Sequence, residues 1–287
     1  LRYLGASDNS RDANGNARGF TVGVSGAVFE TVTSGVTWTL YRDNSSNYQA
    51  VFNGDVTLTG AGNGVMENYM TNGAVLKTGA GTWTLSGANT YSGGTTINVG
   101  TLKIGSATAL GSSSGAVLVA DGAVLDLNGQ TMTNTNALTI NGSGISSRGV
   151  LTNSSSSTAT YAGSVTLGAV SSVGSTYGAI TVTGAISDAS GYGLALIGNK
   201  ALTLSSASNT LDTIASGSSL GAISILNSGD LRIGSVTIGG TTYNGLGSTG
   251  TISVKAAGNL TISQNITTTS TSSTASSPAI LLAAGYT

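Results

Sequence analysis

Short segments in which apolar and polar residues alternate recur along most of the chain. Residues 56–59, 138–140 and 202–204 are typical, and they are separated by stretches rich in Gly, Ser, Asn and Asp. Alternation with a period of two predicts β-strands that bury one face and leave the other in water. The Gly, Asn and Asp clusters between them predict turns. Because no stretch shows a 3.6-residue period, we predict an all-β fold with almost no helix.

The spacing of these segments indicates a repeating architecture. From residue 138 onward, strand centres recur at Leu138, Val165, Ile180, Leu202, Ile223, Ile252, Leu260 and Ile280. Several of the gaps are about 20 to 30 residues, a period typical of solenoids. We therefore predict a right-handed parallel β-helix, or β-solenoid, of roughly 11 to 14 coils. A sandwich or barrel is the weaker alternative, because membrane barrels need longer strands and more aromatic residues.

The composition excludes several classes of function. The 287 residues include 44 Gly and one Pro, but no Cys and no His, so disulfides, thiolate nucleophiles and imidazole-based sites are excluded. The net charge of −1 lacks the basic footprint of nucleic-acid binding, and we expect no nucleic-acid partner. Hydrophobic residues make up 39% of the chain, which favours a folded protein over a disordered linker. The longest apolar run, residues 279–284, is too short to cross a membrane.

The acidic residues do not suggest an enzyme. There are eleven Asp and Glu residues, and outside the N-terminal part the closest pair is Asp121 and Asp126. Both lie beside Gly- or Asn-containing turns, where Asp is favoured for structural reasons. We therefore predict no catalytic residue, no cofactor and no metal site. The Thr-x-Thr pairs, such as Thr37/Thr39 and Thr82/Thr84, recur at irregular distances, so a regular ladder of such pairs is not expected.

One segment carries a recognisable motif. Residues 75–111 contain the pattern K-x-G-x-G-x-W-x-L-x-G-x-N-x-Y, followed by a Gly-Gly turn and a second strand. This resembles the passenger-associated repeat of bacterial autotransporters, with Trp83 where that family usually has Leu. The matching positions are Lys77, Gly79, Gly81, Trp83, Leu85, Gly87, Asn89, Tyr91, Gly94, Thr96, Ile97, Gly100 and Leu102. Residues 116–129 resemble the coils that follow such a repeat. The alternation places Trp83 and Leu85 on the buried face, and it places Asn89 at a corner.

The two ends of the chain differ from its middle. Residues 1–52 hold seven of the fifteen aromatic residues and have poor periodicity, which predicts an irregular N-terminal part or capping coils. Residues 53–287 are predicted to form the solenoid, with the autotransporter-type repeat at 75–129. Residues near 251–287 resemble coils of the filamentous-haemagglutinin type of secreted adhesin. We expect the chain to be a fragment of a longer protein.

These resemblances imply a function at the cell surface. They suggest an extracellular or outer-membrane-attached adhesive segment of a large protein from a Gram-negative bacterium. The expected partners are a host or surface receptor, a glycan, or a second copy of the chain. A membrane would be contacted only through an anchor or translocator outside this sequence. Two alternatives remain open: a self-associating surface filament, and the scaffold of a polysaccharide-acting enzyme, a function that β-helices also serve.

Overall fold

The computed structural model describes residues 2–3, 21–42, 50–217, 219–271, 273–274 and 277–286. The chain divides into two compact units. Unit 1 comprises Leu1–Asp126 and Met132–Ala137, and unit 2 comprises Leu127–Thr131 and Leu138–Thr287. Both are built almost entirely of short β-strands. The described residues contain one 3₁₀ turn, Ile145–Ser147, and no α-helix.

The strands of unit 1 are β1 (Arg2–Tyr3), β2 (Thr21–Val22), β3 (Ala27–Thr31), β4 (Thr37–Leu40), β5 (Val51–Phe52), β6 (Val56–Gly60), β7 (Asn63–Met66), β8 (Val75–Lys77), β9 (Thr82–Leu85), β10 (Thr95–Ile97), β11 (Gly100–Ile104), β12 (Val117–Val119) and β13 (Ala123–Asp126). The strands of unit 2 are β14 (Leu138–Gly142), β15 (Leu151–Thr152), β16 (Ala159–Tyr161), β17 (Val165–Ser175), β18 (Ile180–Val182), β19 (Ile186–Ser187), β20 (Leu194–Gly198), β21 (Leu202–Leu204), β22 (Thr213–Ser216), β23 (Ile223–Asn227), β24 (Leu231–Ile233), β25 (Ser235–Ile238), β26 (Thr241–Asn244), β27 (Leu246–Ser248), β28 (Ile252–Ala256), β29 (Leu260–Ile262), β30 (Ile266–Thr268), β31 (Ser273–Thr274), β32 (Ser277–Pro278) and β33 (Ile280–Ala283). In the part of the chain with described structure, no helix is long and apolar enough to cross a membrane.

In unit 1, most strands pair in parallel with a strand one turn further along the chain. Val56 in β6 pairs with Val75 in β8, 19 residues later, and Val75 pairs with Thr95 in β10, 20 residues later. A second stack runs through β4, β7, β9, β11 and β13, where Trp83 lies between Gly64 and Leu102. Parallel strands that repeat once per turn define a β-solenoid, so the predicted fold class is confirmed.

Unit 2 follows the same rule with more variable turns. Ile180 pairs with Leu202, 22 residues later, but Ile223 pairs with Ile252, 29 residues later. The longer turn contains the antiparallel hairpin β25–β26, whose Val236 and Ile238 pack on the outer side of strands β20 and β22. Such insertions lengthen individual turns. The described residues therefore make about ten turns, fewer than the 11 to 14 expected from the sequence.

The core consists of inward side chains stacked in columns. Burial alternates along the strands, as in β9, where Trp83 and Leu85 are buried while the two threonines are half-buried. In the N-terminal part, β3 and β4 pair in parallel with the next turn. Residues 4–20 and 43–49 of that part lie outside the described residues. The boundary between residues 52 and 53 therefore stays a prediction.

Candidate functional site

The repeat motif of residues 75–104 forms four strands of unit 1, β8 to β11, and the corners between them. Trp83, Leu85, Ile97 and Leu102 are fully buried. Thr96 lies on the outer face of β10 and is half-buried. Gly94 and Gly100 have positive φ, at 87° and 74°, which L-residues with a side chain rarely adopt. The remaining motif glycines, Gly79, Gly81 and Gly87, pack so closely on the preceding turn that a Cβ would meet its backbone.

Lys77 is the unexpected member of the core. Its side chain is 0% exposed, on the inward side of β8 between Leu58 of the preceding turn and Ile97 of the following one. The Nζ atom donates hydrogen bonds to the carbonyl oxygens of Gly79 and, at 3.0 Å, Val99. Burial lowers the pKa of Lys77 to about 8, because the interior solvates the charged ammonium less well than water does.

The glycines of the motif make room for this amine. A Cβ built on Gly100 would lie 2.7 Å from Nζ of Lys77. Gly100 therefore has two reasons to be glycine: its left-handed backbone and the approach of the lysine. The Lys and Gly positions of the motif act together as one corner, in which backbone carbonyls satisfy a buried amine.

Trp83 fills the space that a glycine of the preceding turn leaves. Its Nε1 donates to the carbonyl oxygen of Thr59 at 3.1 Å, and its ring meets Trp38 edge-on with 6.3 Å between centroids. Gly64 is the strand partner of Trp83, and a Cβ on Gly64 would run into the indole ring. The sequence interpretation missed Gly64, since a lone glycine in a strand carries no sign of what lies above it.

Asn89 and Tyr91 form the second corner of the motif. The Oδ1 atom of Asn89 accepts from the Met70 backbone N–H at 2.9 Å, and its Nδ2 donates to the carbonyl oxygen of Ala109 at 2.6 Å. One amide therefore joins the turn before it to the turn after it. Tyr91 is fully buried, and its hydroxyl lies 2.7 Å from Thr95 Oγ1. Burial raises the pKa of Tyr91.

Other buried asparagines also bond to the backbone of neighbouring solenoid turns and were not predicted. In unit 1, Nδ2 of Asn68 donates to the carbonyl oxygens of Leu40 and Tyr41, both at 3.1 Å. In unit 2, Asn209 accepts from the Ile186 N–H at 2.7 Å and donates to the carbonyl oxygen of Leu226 at 2.9 Å. An asparagine a few residues after a strand could have indicated such a buried amide. Many surface asparagines of this chain lie at similar positions, so the sequence alone does not distinguish the buried ones.

Three carboxylates of the described residues accept hydrogen bonds from backbone N–H groups. Asp55 accepts from the Ala74 N–H at 2.8 Å. Asp188 accepts from two successive N–H groups, those of Tyr192 and Gly193, at 2.8 and 2.9 Å. Asp230 accepts from the Asn259 N–H at 2.7 Å. The contact of Asp188 is local, whereas those of Asp55 and Asp230 join neighbouring solenoid turns. Within the described residues no group of three or more acidic side chains could hold a metal ion.

The two acids singled out from the sequence have different environments. Asp126 is 5% exposed at the end of β13, where its Oδ2 lies 4.0 Å from Nζ of Lys103. Asp121 is exposed on the turn before β13. This arrangement supplies an ion pair across neighbouring turns of unit 1.

An exposed cation–aromatic contact lies elsewhere on unit 1. The guanidinium carbon of Arg42 stands 3.7 Å from the ring centroid of Tyr69, and Arg42 Nη1 also donates to the Tyr69 hydroxyl. Both line a shallow surface pocket with Asn68 and Val51.

Comparison with known proteins agrees with the geometry of the motif. Residues 75–104 match the family model of the passenger-associated-transport-repeat. The chain is also 47% identical over 57 residues to the adhesin BmaC autotransporter of Brucella suis biovar 1 (strain 1330). The aligned residues make up 20% of this chain and 2% of that protein. No solved structure matches the chain. The resemblance to filamentous-haemagglutinin coils near residues 251–287 stays a prediction. The resemblance to an autotransporter passenger is confirmed for the repeat that β8 to β11 build.

Proposed function

We propose that this chain is part of the surface-exposed passenger of a large adhesive autotransporter. It would lie outside the cell or attached to the outer membrane of a Gram-negative bacterium. The observation that carries the proposal is the repeat of residues 75–104, which matches the passenger-repeat model and forms regular solenoid turns. The relative's printed name, an adhesin, supports attachment as the role. The chain spans only a small fraction of that relative, so the ligand belongs to the proposal as well.

A parallel solenoid suits this role mechanically. Each turn adds about 4.8 Å of height for roughly 20 residues, so a long passenger can reach far from the membrane. The interior of each turn is stabilised by its buried apolar side chains and by hydrogen bonds from buried asparagine amides of neighbouring turns. The outer faces are then free to carry binding groups without affecting the fold.

The proposed role is non-enzymatic. The carboxylates of Asp55, Asp188 and Asp230 accept hydrogen bonds from backbone N–H groups, and the buried Lys77 amine is held by backbone carbonyls. A polysaccharide-cleaving site would need paired carboxylates facing an open groove. Incubation with a panel of bacterial and host polysaccharides should therefore release no new reducing ends, and measurable release would revive the scaffold alternative.

Attachment can be tested with the isolated chain. Beads coated with the purified protein should bind epithelial cells well above albumin-coated beads, and an excess of soluble chain should compete. Binding equal to that of albumin beads on cells, on glycan arrays and on abiotic surfaces would contradict the adhesive role. Antibody labelling of intact bacteria tests the location separately, since labelling only after permeabilisation would exclude a surface passenger.

A further inference from the structure

The β25–β26 hairpin of unit 2 projects from the solenoid turn that contains β24. Its two strands are joined by Gly239 and Gly240, whose φ angles of 57° and 75° fit the type I′ turn of tight hairpins. At its base, the Gly245 N–H donates to the carbonyl oxygen of Gly234 at 2.8 Å. The hairpin is therefore a closed element that begins directly after β24.

The hairpin crosses several earlier turns of unit 2. Strand β25 contacts β22, β20 and β17, which belong to successive turns before β24. Its tip reaches the loop between β14 and β15, because a Cβ built on Gly239 would lie 2.9 Å from Oγ of Ser143 and 2.8 Å from Oγ of Ser147. Strand β24 itself pairs with β22 and β29. The hairpin thus joins the turn of β24 to turns that these pairings do not reach.

The face beneath the hairpin consists of short side chains. The outward residues Ser172, Ala195 and Ala215 pair in sequence on β17, β20 and β22, and all three are fully buried. Val236 and Ile238 of the hairpin pack against the two alanines. Three partly buried side chains complete the contact: Val170, Ile197 and Tyr243. These strands are therefore covered by the core on one side and by the hairpin on the other.

We propose that the hairpin is a clamp that makes the turns from the β14–β15 loop to β24 open as one cooperative unit. In a solenoid each turn contacts only its neighbours, so turns can open one at a time from an end. A turn beneath the hairpin can separate only if Val236 and Ile238 also leave the face that they cover. Opening any one of these turns therefore carries the cost of releasing the others. The clamp does not depend on the adhesive role.

Hydrogen exchange followed by mass spectrometry tests the clamp, because it measures the opening of each strand in the intact chain. Val236→Ser combined with Ile238→Ser removes the apolar packing and should speed exchange in β17, β20 and β22 at least about tenfold. The matched control, Thr237→Ser combined with Thr242→Ser, changes the exposed side of the same hairpin and should exchange as the wild type does. Unchanged exchange in β17, or equal acceleration by the control pair, would overturn the proposal. Circular dichroism melting curves confirm that the variants are folded.

A substitution outside the hairpin distinguishes a clamp from a local cover. Ile233 is buried on β24, and Ile233→Val should speed exchange in β17, three turns earlier, by about two- to tenfold when the hairpin is intact. In the Val236→Ser, Ile238→Ser background, the same change should act on the neighbouring β22 and leave β17 unaffected. An effect on β17 that is equal in the two backgrounds, or absent from both, would refute the coupling.

The two glycines of the turn test how far the hairpin reaches. Both have positive φ, so alanine is strained at either position, but a Cβ on Gly240 meets nothing within 4 Å. Gly239→Ala should therefore speed exchange of residues 143–150 at least about fivefold more than Gly240→Ala, because only the first pushes against Ser143 and Ser147. Equal exchange of this loop in the two variants would show that the tip does not hold it, and the clamp as proposed would fail.

Discussion

Replacing Lys77 by Met should remove a pH-dependent component of the stability of unit 1. In the folded protein burial lowers the pKa of this amine to about 8, against 10.5 when unperturbed. Between these two values the unfolded chain holds more protons than the folded one, so stability rises with pH. Below pH 8 the cost of the buried charge is fully present. From pH 7 to pH 9.5 the gain is about 2 kcal/mol in the free energy of unfolding.

Urea unfolding followed by tryptophan fluorescence measures this gain where it arises, because Trp38 and Trp83 both lie in unit 1. The comparison stops at pH 9.5, because burial raises the pKa of Tyr91 and of Tyr161. These neutral tyrosines therefore oppose the trend once unfolded tyrosine begins to ionise, near pH 10. The wild type should gain stability from pH 7 to pH 9.5, and the Lys77→Met variant should stay flat.

The exposed Lys200 gives the control, since Lys200→Met removes an amine that lies on a surface turn. This variant should keep the wild-type slope. A wild-type protein with no rise, or a Lys77→Met variant with the full rise, would show that the amine is not held inside the turn as described.

Three further substitutions probe the packing of the repeat, each by urea unfolding at pH 7. Trp83→Asp should cost more than about 3 kcal/mol, because it empties a core position and buries a charge; an unchanged unfolding curve would mean that the faces of β9 are reversed. Gly64→Ala should cost about 1–3 kcal/mol by pushing a Cβ into the Trp83 ring, whereas Gly23→Ala, where a Cβ meets nothing, should be near neutral. Asn89→Ala should cost about 1–3 kcal/mol by leaving the Met70 N–H and the Ala109 carbonyl unpaired; a loss no larger than that of Asn72→Ala, at an exposed position, would argue against the bridging role.

The sequence was sufficient for the fold because alternation survives in most strands. The pattern placed Trp83 and Leu85 inside, and both are fully buried. No strand was predicted from the sequence at β8, where Leu76 faces outward and Lys77 inward. Hydrophobicity alone would place Leu76 inside and Lys77 outside. The observed orientation is stable because pairing with β6 and β10 fixes the register, and because the carbonyl groups of Gly79 and Val99 accept hydrogen bonds from the amine. No local property of the sequence signals these carbonyls.

The vertical stacking of outward hydroxyl groups in unit 2, from Thr160 through Thr181 and Thr203 to Ser253, was missed for a different reason. The sequence interpretation looked for Thr-x-Thr pairs at a constant spacing and found none. The structure stacks one hydroxyl per turn, at separations of 21 or 22 residues for three steps and 29 for the last, from Ser224 to Ser253. Extra residues lie in the loops between strands, so the pairing of stacked strands keeps its register when the loops differ in length. Register is therefore a property of the stacked sheet, and a fixed sequence period cannot reveal it.

Inward residues stabilise these turns, whereas most outward residues contribute little to the fold. Inside unit 1, Asn89 bonds to the turns before and after it, so a turn is complete only when both neighbours are present. Asn209 does the same inside unit 2. Stability of this kind is a sum over neighbouring turns, and it places few demands on the outer faces. Substitutions at exposed outward positions should therefore disturb the fold less than substitutions at inward ones. The buried motif of residues 75–104 identifies the architecture, and the exposed outward residues are those that can vary while it is kept.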